Sequence, residues 1–340
     1  MNCDNKLQVG VLGTGLPALF AAQLIEKAGH SATVLDSDCG YVRLGRTFPY
    51  GGGRFDQFVQ TVSVDDAEVH TLVKALGVEP VLQPHKTPRA GLSWLWSKNP
   101  KTATAVGLSQ ALELALRDRL QVEQVVQVVD LMEFDYSIEL RTREGRRQFD
   151  AIVTTVPLEE LDEMARGLIA QDLPRSQARH RTLVSVVFIS TVPLLKKYAT
   201  FVENSSLPFT CVSSVTDPES GLTAINVSGC SEAPEMELKI LATRFLSEKF
   251  GEFQPSCVEA VRVFQSSERI PVYPLNEKVE PIPARVGEGR LFLASRELGY
   301  GRPVSMNTDL LLARKAVEAF LECAPTFVCG VRPAALAAAR

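Results

Sequence analysis

No two cysteines of this chain stand three positions apart, and no two of its four histidines lie within a helical turn of each other. The seven cysteines (Cys3, Cys39, Cys211, Cys230, Cys257, Cys323 and Cys329) are scattered and odd in number. That pattern fits reduced thiols rather than a disulfide framework or a zinc knuckle. His30, His70, His85 and His180 offer no i,i+4 pair, so a histidine metal site has no support. An excess of basic charge is also lacking: 36 Lys and Arg stand against 40 Asp and Glu, a net charge of −4. No global positive field draws nucleic acid or acidic lipid. No uncharged run reaches the ~18 residues of a membrane span. The first residues carry no basic-then-apolar leader, and their apolar run is broken by Gly13, Gly15 and Pro17. These absences predict a cytoplasmic globular protein. Its 340 residues, 45% hydrophobic and 22% charged, suffice for two lobes.

What is present begins at residue 7. "LQVGVL" (7–12) reads as a strand buried on both faces, and "LPALFAAQLIEKAGH" as a helix with Gly29 as its stop. "SATVLDSD" then reads as a second buried strand ending in acid, which completes one βαβ unit. Between strand and helix lies Gly13-x-Gly15-x-x-Ala18. In a dinucleotide loop the first glycine permits the turn, the second lets pyrophosphate approach, and the third lets helix and strand pack. Ala18 stands in the third, packing role. The helix start offers N–H groups and partial positive charge to phosphate. Asp36, 23 residues after Gly13, stands where a carboxylate accepts ribose hydroxyls and disfavours a 2′-phosphate.

Further along, residues 37–62 read as a Gly- and Arg-rich loop, with Arg43, Arg46 and Arg54 near the phosphate site. Residues 64–77 read as a helix capped by Asp65 or Asp66, a better reading than a catalytic carboxylate pair. Residues 107–120 are a helix, and 122–134, 137–145 and 148–157 are strand-like. The tip "TREGRR" (142–147) carries solvated charge rather than a nucleic-acid patch. From about 160 to 270 short strands dominate, with one helix at 233–251. "GRLFLAS" (289–295) and a helix from 306 return to the first pattern. Residues 324–340 read as a frayed tail. Trp94 and Trp96 would share a strand face, over a substrate or in the core. By these residues alone the nucleotide is FAD or NAD.

Four segments resemble the FAD-dependent clan that contains flavin amine oxidases, protoporphyrinogen oxidase, renalase and UDP-galactopyranose mutase. They are "VLGTGLPALFAA…ATVLD", "LGRT…FDQFVQTV", "VVQVVDL…FDAIVTTVP" and "YPL…GRLFLASRELGYGRPVSMNTDLLLARKAVEAFL". Leu44 replaces the first glycine of the clan's Gly-Gly-Arg motif, and Ser295 stands where the clan has glycine. The resemblance implies an α/β fold: a discontinuous Rossmann-like FAD-binding domain with an inserted, mainly antiparallel β substrate domain. The boundaries it suggests are 1–80, 105–160 and 275–323 for FAD, and 81–104 and 161–274 for substrate. It implies cofactor contacts from Gly13, Gly15, Leu16, Pro17 and Ala18 in the first loop, and from Asp36 and Ser37 after it. Arg43, Gly45, Arg46, Val128 and Pro157 follow, with Arg296, Met306 and Asn307 in the closing segment. Tyr273, Tyr300 and Arg302 flank that segment and are candidates to face a substrate. The helix from 306 would aim its positive end at the flavin.

Because the flavin ring carries the electrons, no acid or base is demanded, and no catalytic residue is assigned. The implied activity is oxidation of a small molecule, with a homodimer as the assembly. Two alternatives stay open: a reduced-flavin enzyme of the mutase type, and a NAD(H)-binding protein. The mutase reading needs arginines to clamp a diphosphate. Arg175, Arg179, Arg181, Arg244, Arg262 and Arg269 form no clear motif for one.

Overall fold

The computed structural model of the protein describes residues 6–13, 15–36, 45–58, 61–63, 66–79, 82–84, 102–105, 107–124, 128–175, 178–195, 199–201, 207–272, 280–299 and 305–328. The chain opens with β1 (Gln8–Leu12), α1 (Gly15–Lys27) and β2 (Ser31–Asp36). β1 and β2 pair in parallel, with Val11 opposite Val34. All of β1 after Gln8 is buried, as a strand covered on both faces requires. Ala18, Ala21 and Ala22 are fully buried, so α1 lies close on the sheet.

β3 (Thr47–Tyr50) and β4 (Gly53–Asp56) form an antiparallel hairpin inside the stretch the sequence predicts as a loop. Its two-residue turn is Gly51 (φ 55°) and Gly52 (φ 84°), the double positive φ that matches strand twist. β5 (Thr61–Ser63), α2 (Ala67–Leu76), β6 (Leu82–Pro84) and β7 (Thr102–Ala105) follow, the three strands forming a small antiparallel sheet. Asp66 is the N-cap residue of α2 but makes no side-chain capping bond. Asn307 supplies it from across the chain, its Oδ1 accepting the Glu68 N–H at 3.1 Å. Asp65 lies outside the described residues, as do Trp94 and Trp96.

α3 (Leu108–Arg117), β8 (Gln121–Gln124), β9 (Val128–Glu133), β10 (Ile138–Thr142), β11 (Gly145–Phe149) and β12 (Ala151–Thr154) come next. The sequence predicts one strand over 122–134. The structure has two: β8 joins β2 in parallel, and β9 joins the antiparallel sheet β11-β10-β9. α4 (Leu158–Met164) and α5 (Leu168–Asp172) follow β12. Leu158, Leu161, Ile169 and Leu173 share a buried cluster with Leu131, Ile152 and Leu291. Residues up to 173 therefore pack with the parallel sheet, beyond the boundary of 160 that the sequence suggests.

β13 (Arg179–Ser190), β14 (Ala199–Phe201), β15 (Phe209–Thr216), β16 (Thr223–Cys230), α6 (Glu235–Lys249) and β17 (Ala260–Val272) build a second layer. Its sheet is antiparallel, in the order β14-β15-β16-β13-β17. The period of two decides its faces. Val184, Val186 and Phe188 meet Leu238, Phe245 and Leu246 of α6. Val187 and Ile189, on the other face, meet Phe48 and Phe55 of the β3–β4 hairpin.

β18 (Leu291–Leu293), a 3-10 turn at Arg296–Gly299 and α7 (Met306–Val328) close the described chain. α7 continues past 323: Ala324 is buried and Phe327 stacks edge-on with Phe292. The frayed tail predicted from 324 is thus helical to Val328, and 329–340 lie outside the described residues. The result is a mixed α/β fold with one parallel sheet, order β18-β12-β1-β2-β8, and separate antiparallel sheets.

The hairpin bolts the two halves together. A Cβ on Gly53 would stand 2.5 Å from Ser220 Oγ and 3.0 Å from Asp217 Oδ2. Burial opposes ionisation of Asp217. The Ser220 hydroxyl and the N–H groups of Ser220, Arg54 and Glu219 outweigh it, holding its pKa below the ordinary value. "GGGRFD" therefore serves docking, with the Arg54 side chain exposed, rather than phosphate. Asn226 of β16 donates to the carbonyls of Asp56 (3.3 Å) and Gln57 (3.2 Å). Its Oδ1 accepts the Ser185 and Ser228 hydroxyls, both at 2.7 Å. Asn226→Leu would strand two buried hydroxyls and two carbonyls. We expect it to cost about 3 kcal/mol of stability, read as a lower urea midpoint.

Candidate functional site

Order reverses between β1 and β12: the chain runs outward through β2 and β8 on one side and through β18 on the other. In open parallel sheets the crevice beyond the carboxyl ends at such a reversal is where ligands bind. Four groups line that edge. Gly13 follows β1, Asp36 ends β2, Thr155 follows β12, and Ser295 stands two residues after β18. The edge is held by Gly13 N–H donating to Leu35 O (3.2 Å), Thr155 N–H to Leu12 O (2.9 Å) and Ala294 N–H to Thr154 O (2.7 Å).

Glycine is required at the loop itself. Gly13 has φ 144°, and a Cβ there would lie 2.0 Å from Thr155 Oγ1. Gly15 has φ 75° and opens α1. Leu16 and Ala18 are buried in the core under the sheet, and Pro17 is half-buried. Ala18, at 0% exposure, fills the packing position.

Helix α3 covers this loop with a polar stripe that sequence reasoning missed. Ser109, Glu113 and Arg117 are spaced by four and share one face. A Gly45 Cβ would meet Ser109 Oγ at 2.3 Å, and a Gly15 Cβ would meet Glu113 Oε1 at 3.3 Å. The Arg117 guanidinium binds the Asp36 carboxylate, which is 1% exposed. Asp36 is therefore half of an ion pair, and the net negative charge expected to repel a 2′-phosphate is countered. The spacing of these residues, each one position after Leu108, Leu112 or Leu116, is visible in the sequence; what they lie across is not.

The other expected contacts scatter. Gly45 joins the loop through α3. Arg46 is half-buried, and its carbonyl accepts the Gln57 N–H. Val128 begins β9 and packs against the cluster of Leu131 and Leu140. Pro157 is the N-cap residue of α4, three residues past the end of β12. Arg296 makes a bidentate pair with Asp309 (2.9 and 2.7 Å), Met306 packs on the core, and Asn307 serves α2. The Asn307 oxygen thus also caps a helix. Ser37, Arg43, Tyr273, Tyr300 and Arg302 lie outside the described residues. An acid of the closing segment that the sequence did not single out is Glu297, 2% exposed. It accepts the Leu158 N–H at 3.0 Å and meets His180 Nε2 at 3.0 Å, tying β13 and α4 to the turn after β18.

The edge has groups that a dinucleotide loop would use: Gly13 and Gly15 hold positive φ at the turn into α1, and Ser295 Oγ is buried with no hydrogen-bond partner among the described residues. Among the described residues no His/Cys/Asp/Glu cluster suits a metal, and no helix is long and apolar enough to cross a membrane.

No protein-family model matches the chain, and no curated protein matches its sequence. Solved structures do share its fold. Cyclohexylamine oxidase from Brevibacterium oxydans IH-35A matches with a TM-score of 0.69 at 12% identity, over 94% of this chain and 100% of that one. Putrescine oxidase bound to putrescine gives 0.68 at 12% identity, over 93% and 99%. A fatty acid isomerase from P. acnes that produces CLA gives 0.63 at 14% identity, over 95% and 99%. The fold is that of these enzymes; identities this low carry the likeness no further.

Proposed function

We propose that the chain is an FAD-dependent oxidoreductase that oxidises a small molecule, with amines as the first substrates to try. The glycine-floored crevice at the strand-order reversal carries this reading. The amine-oxidase fold and the four family-like segments support it. In this reading Gly13, Gly15, Leu16, Pro17 and Ala18 form the pyrophosphate loop, and Asp36 takes the adenosine ribose. The first N–H groups of α1 face the phosphates. Glu113, a carboxylate beside that loop, suits a ligand hydroxyl rather than a phosphate. FAD, when bound, supplies the acceptor for a hydride or electrons. The chain's own residues orient it and exclude water. Gly45, Arg46, Val128, Pro157, Arg296 and Met306 remain proposed contacts, with Ser37, Arg43, Tyr273, Tyr300 and Arg302. The reading keeps the cytoplasm as the location and a second copy of the chain as partner.

The test is the visible spectrum of the purified protein. Two oxidised-flavin bands that bleach anaerobically with an amine and return with oxygen support the reading. A colourless protein that binds NADH overturns it in favour of the nicotinamide alternative. One observation favours a second reading, flavin chemistry without net redox: the fold also serves an isomerase. A yellow protein that no reductant-type substrate bleaches, but that turns over once reduced, selects that reading.

A further inference from the structure

The stripe on α3 assigns a role to a residue that neither the loop motif nor the family likeness singles out. The helix has two characters. Leu108, Leu112 and Leu116 are buried in the core that also holds Val11, Ala18 and Val34, which fixes the helix against the sheet. Ser109, Glu113 and Arg117 then fall, turn by turn, on Gly45, Gly15 and Asp36. The register is set by packing, so each polar group has a fixed address along the crevice. Arg117 has the address at the end of β2.

A carboxylate at 1% exposure loses its hydration, and a paired cation fixes its direction. The Arg117 side chain, 28% exposed, provides one from a helix that is itself anchored. A carboxylate accepts several hydrogen bonds, so an ion pair does not by itself preclude a ribose hydroxyl. An oriented carboxylate is what a ribose diol needs as acceptor.

We propose that Arg117 is the positioning residue of the adenosine end of the cofactor site: it acts through Asp36 to fix the ribose. This rests on the reading that the crevice takes FAD. It predicts a division of labour, because FMN lacks the adenosine half and ADP lacks the flavin half. Loss of Arg117 weakens FAD and ADP and leaves FMN alone.

The experiment titrates flavin-depleted full-length protein with FAD, ADP and FMN, with the melting temperature of each variant recorded beside its affinities. Arg117→Met, which keeps the stem and removes the charge, is expected to weaken FAD and ADP about tenfold, the scale of one charge-assisted hydrogen bond. FMN affinity stays within about twofold. Arg117→Lys recovers part of the loss, since it restores the charge without the planar fork. The double variant with Asp36→Asn binds FAD no more weakly than Asp36→Asn alone, because Arg117 acts through Asp36. Equal weakening of FAD and FMN overturns the proposal in favour of a general structural role. So does a lower melting temperature with unchanged affinities, or effects of the two substitutions that add. Wild-type protein that binds FAD while Arg117→Met binds it equally well sinks this proposal alone. Wild-type protein that binds neither flavin sinks the FAD reading, and this proposal with it.

Discussion

If the crevice takes FAD as proposed, Gly13→Ala is expected to yield a folded but colourless protein. The new Cβ would stand 2.0 Å from Thr155 Oγ1 and 3.2 Å from Thr155 Cβ, far inside contact distance. Thr155 cannot step aside cheaply, since its own N–H is bonded to Leu12 O at 2.9 Å. The φ of 144° adds a strain of about 1–3 kcal/mol for a residue with a side chain. Crowding in a packed site adds about as much again. If about 4 kcal/mol falls on the binding-competent loop, cofactor affinity drops roughly a thousandfold. Gly29 separates the two causes. Its φ is 94°, yet a Cβ there meets nothing within 4 Å. Gly29→Ala should therefore cost about 1 kcal/mol of stability and leave the colour unchanged. Adding Thr155→Ala to Gly13→Ala should restore part of the colour, because it removes the nearest atom. The measurement is the ratio of visible to protein absorbance after purification. A yellow Gly13→Ala protein would place the cofactor elsewhere.

The contrast between Gly13 and Gly29 also marks what a sequence can convey. The first βαβ unit was legible because its signals are local. A run such as "VGVL" buried on both faces, small residues on one helix face and an acid at a strand end all lie within thirty residues. The β3–β4 hairpin was not. Its glycines read as a loop, and its strands are fixed by Phe48 and Phe55 meeting Val187 and Ile189 far along the chain. Likewise "VEQVVQVVDLMEF" is continuous in hydrophobicity, and only the choice of pairing partner divides it between two sheets. At the site, the glycines and Asp36 were legible as a motif. Arg117 was not, because the motif says nothing of which helix lies across it. The second role of Asn307 was hidden for the same reason: the sequence shows a polar residue at a helix start. Only the fold shows that its oxygen caps a different helix. Long-range geometry decided each of these, and a single sequence holds it only implicitly.

Asp56→Asn is expected to stabilise the protein above neutral pH and to change little in acid. Asp56 ends β4, and burial pushes its carboxyl up to about 7, even though the Gly107 N–H bond works the other way. That N–H reaches Oδ1 at 3.0 Å and Oδ2 at 3.3 Å. The sign follows from proton counts. Between an unfolded value near the model 3.8 and about 7, the folded state holds a proton that the unfolded state has released. Stability then falls as pH rises through that window and levels off above it. At about 1.4 kcal/mol per unit, the full span gives up to about 4 kcal/mol. Asparagine keeps an oxygen for the Gly107 N–H and never ionises, so its stability carries no such slope. Urea unfolding at about pH 3 and pH 8, on either side of that window, reads the difference. The two proteins should nearly coincide at the lower pH, and the variant should lead at the higher by roughly 2–4 kcal/mol. Coincidence at both would mean that the carboxyl titrates in the ordinary carboxylate range, with water at hand. A lead at the higher pH would make the junction of β4, Asn226 and the start of α3 a neutral one. The end of α3 that lies on Gly45 and Gly15 would then be held by hydrogen bonds and packing instead of charge.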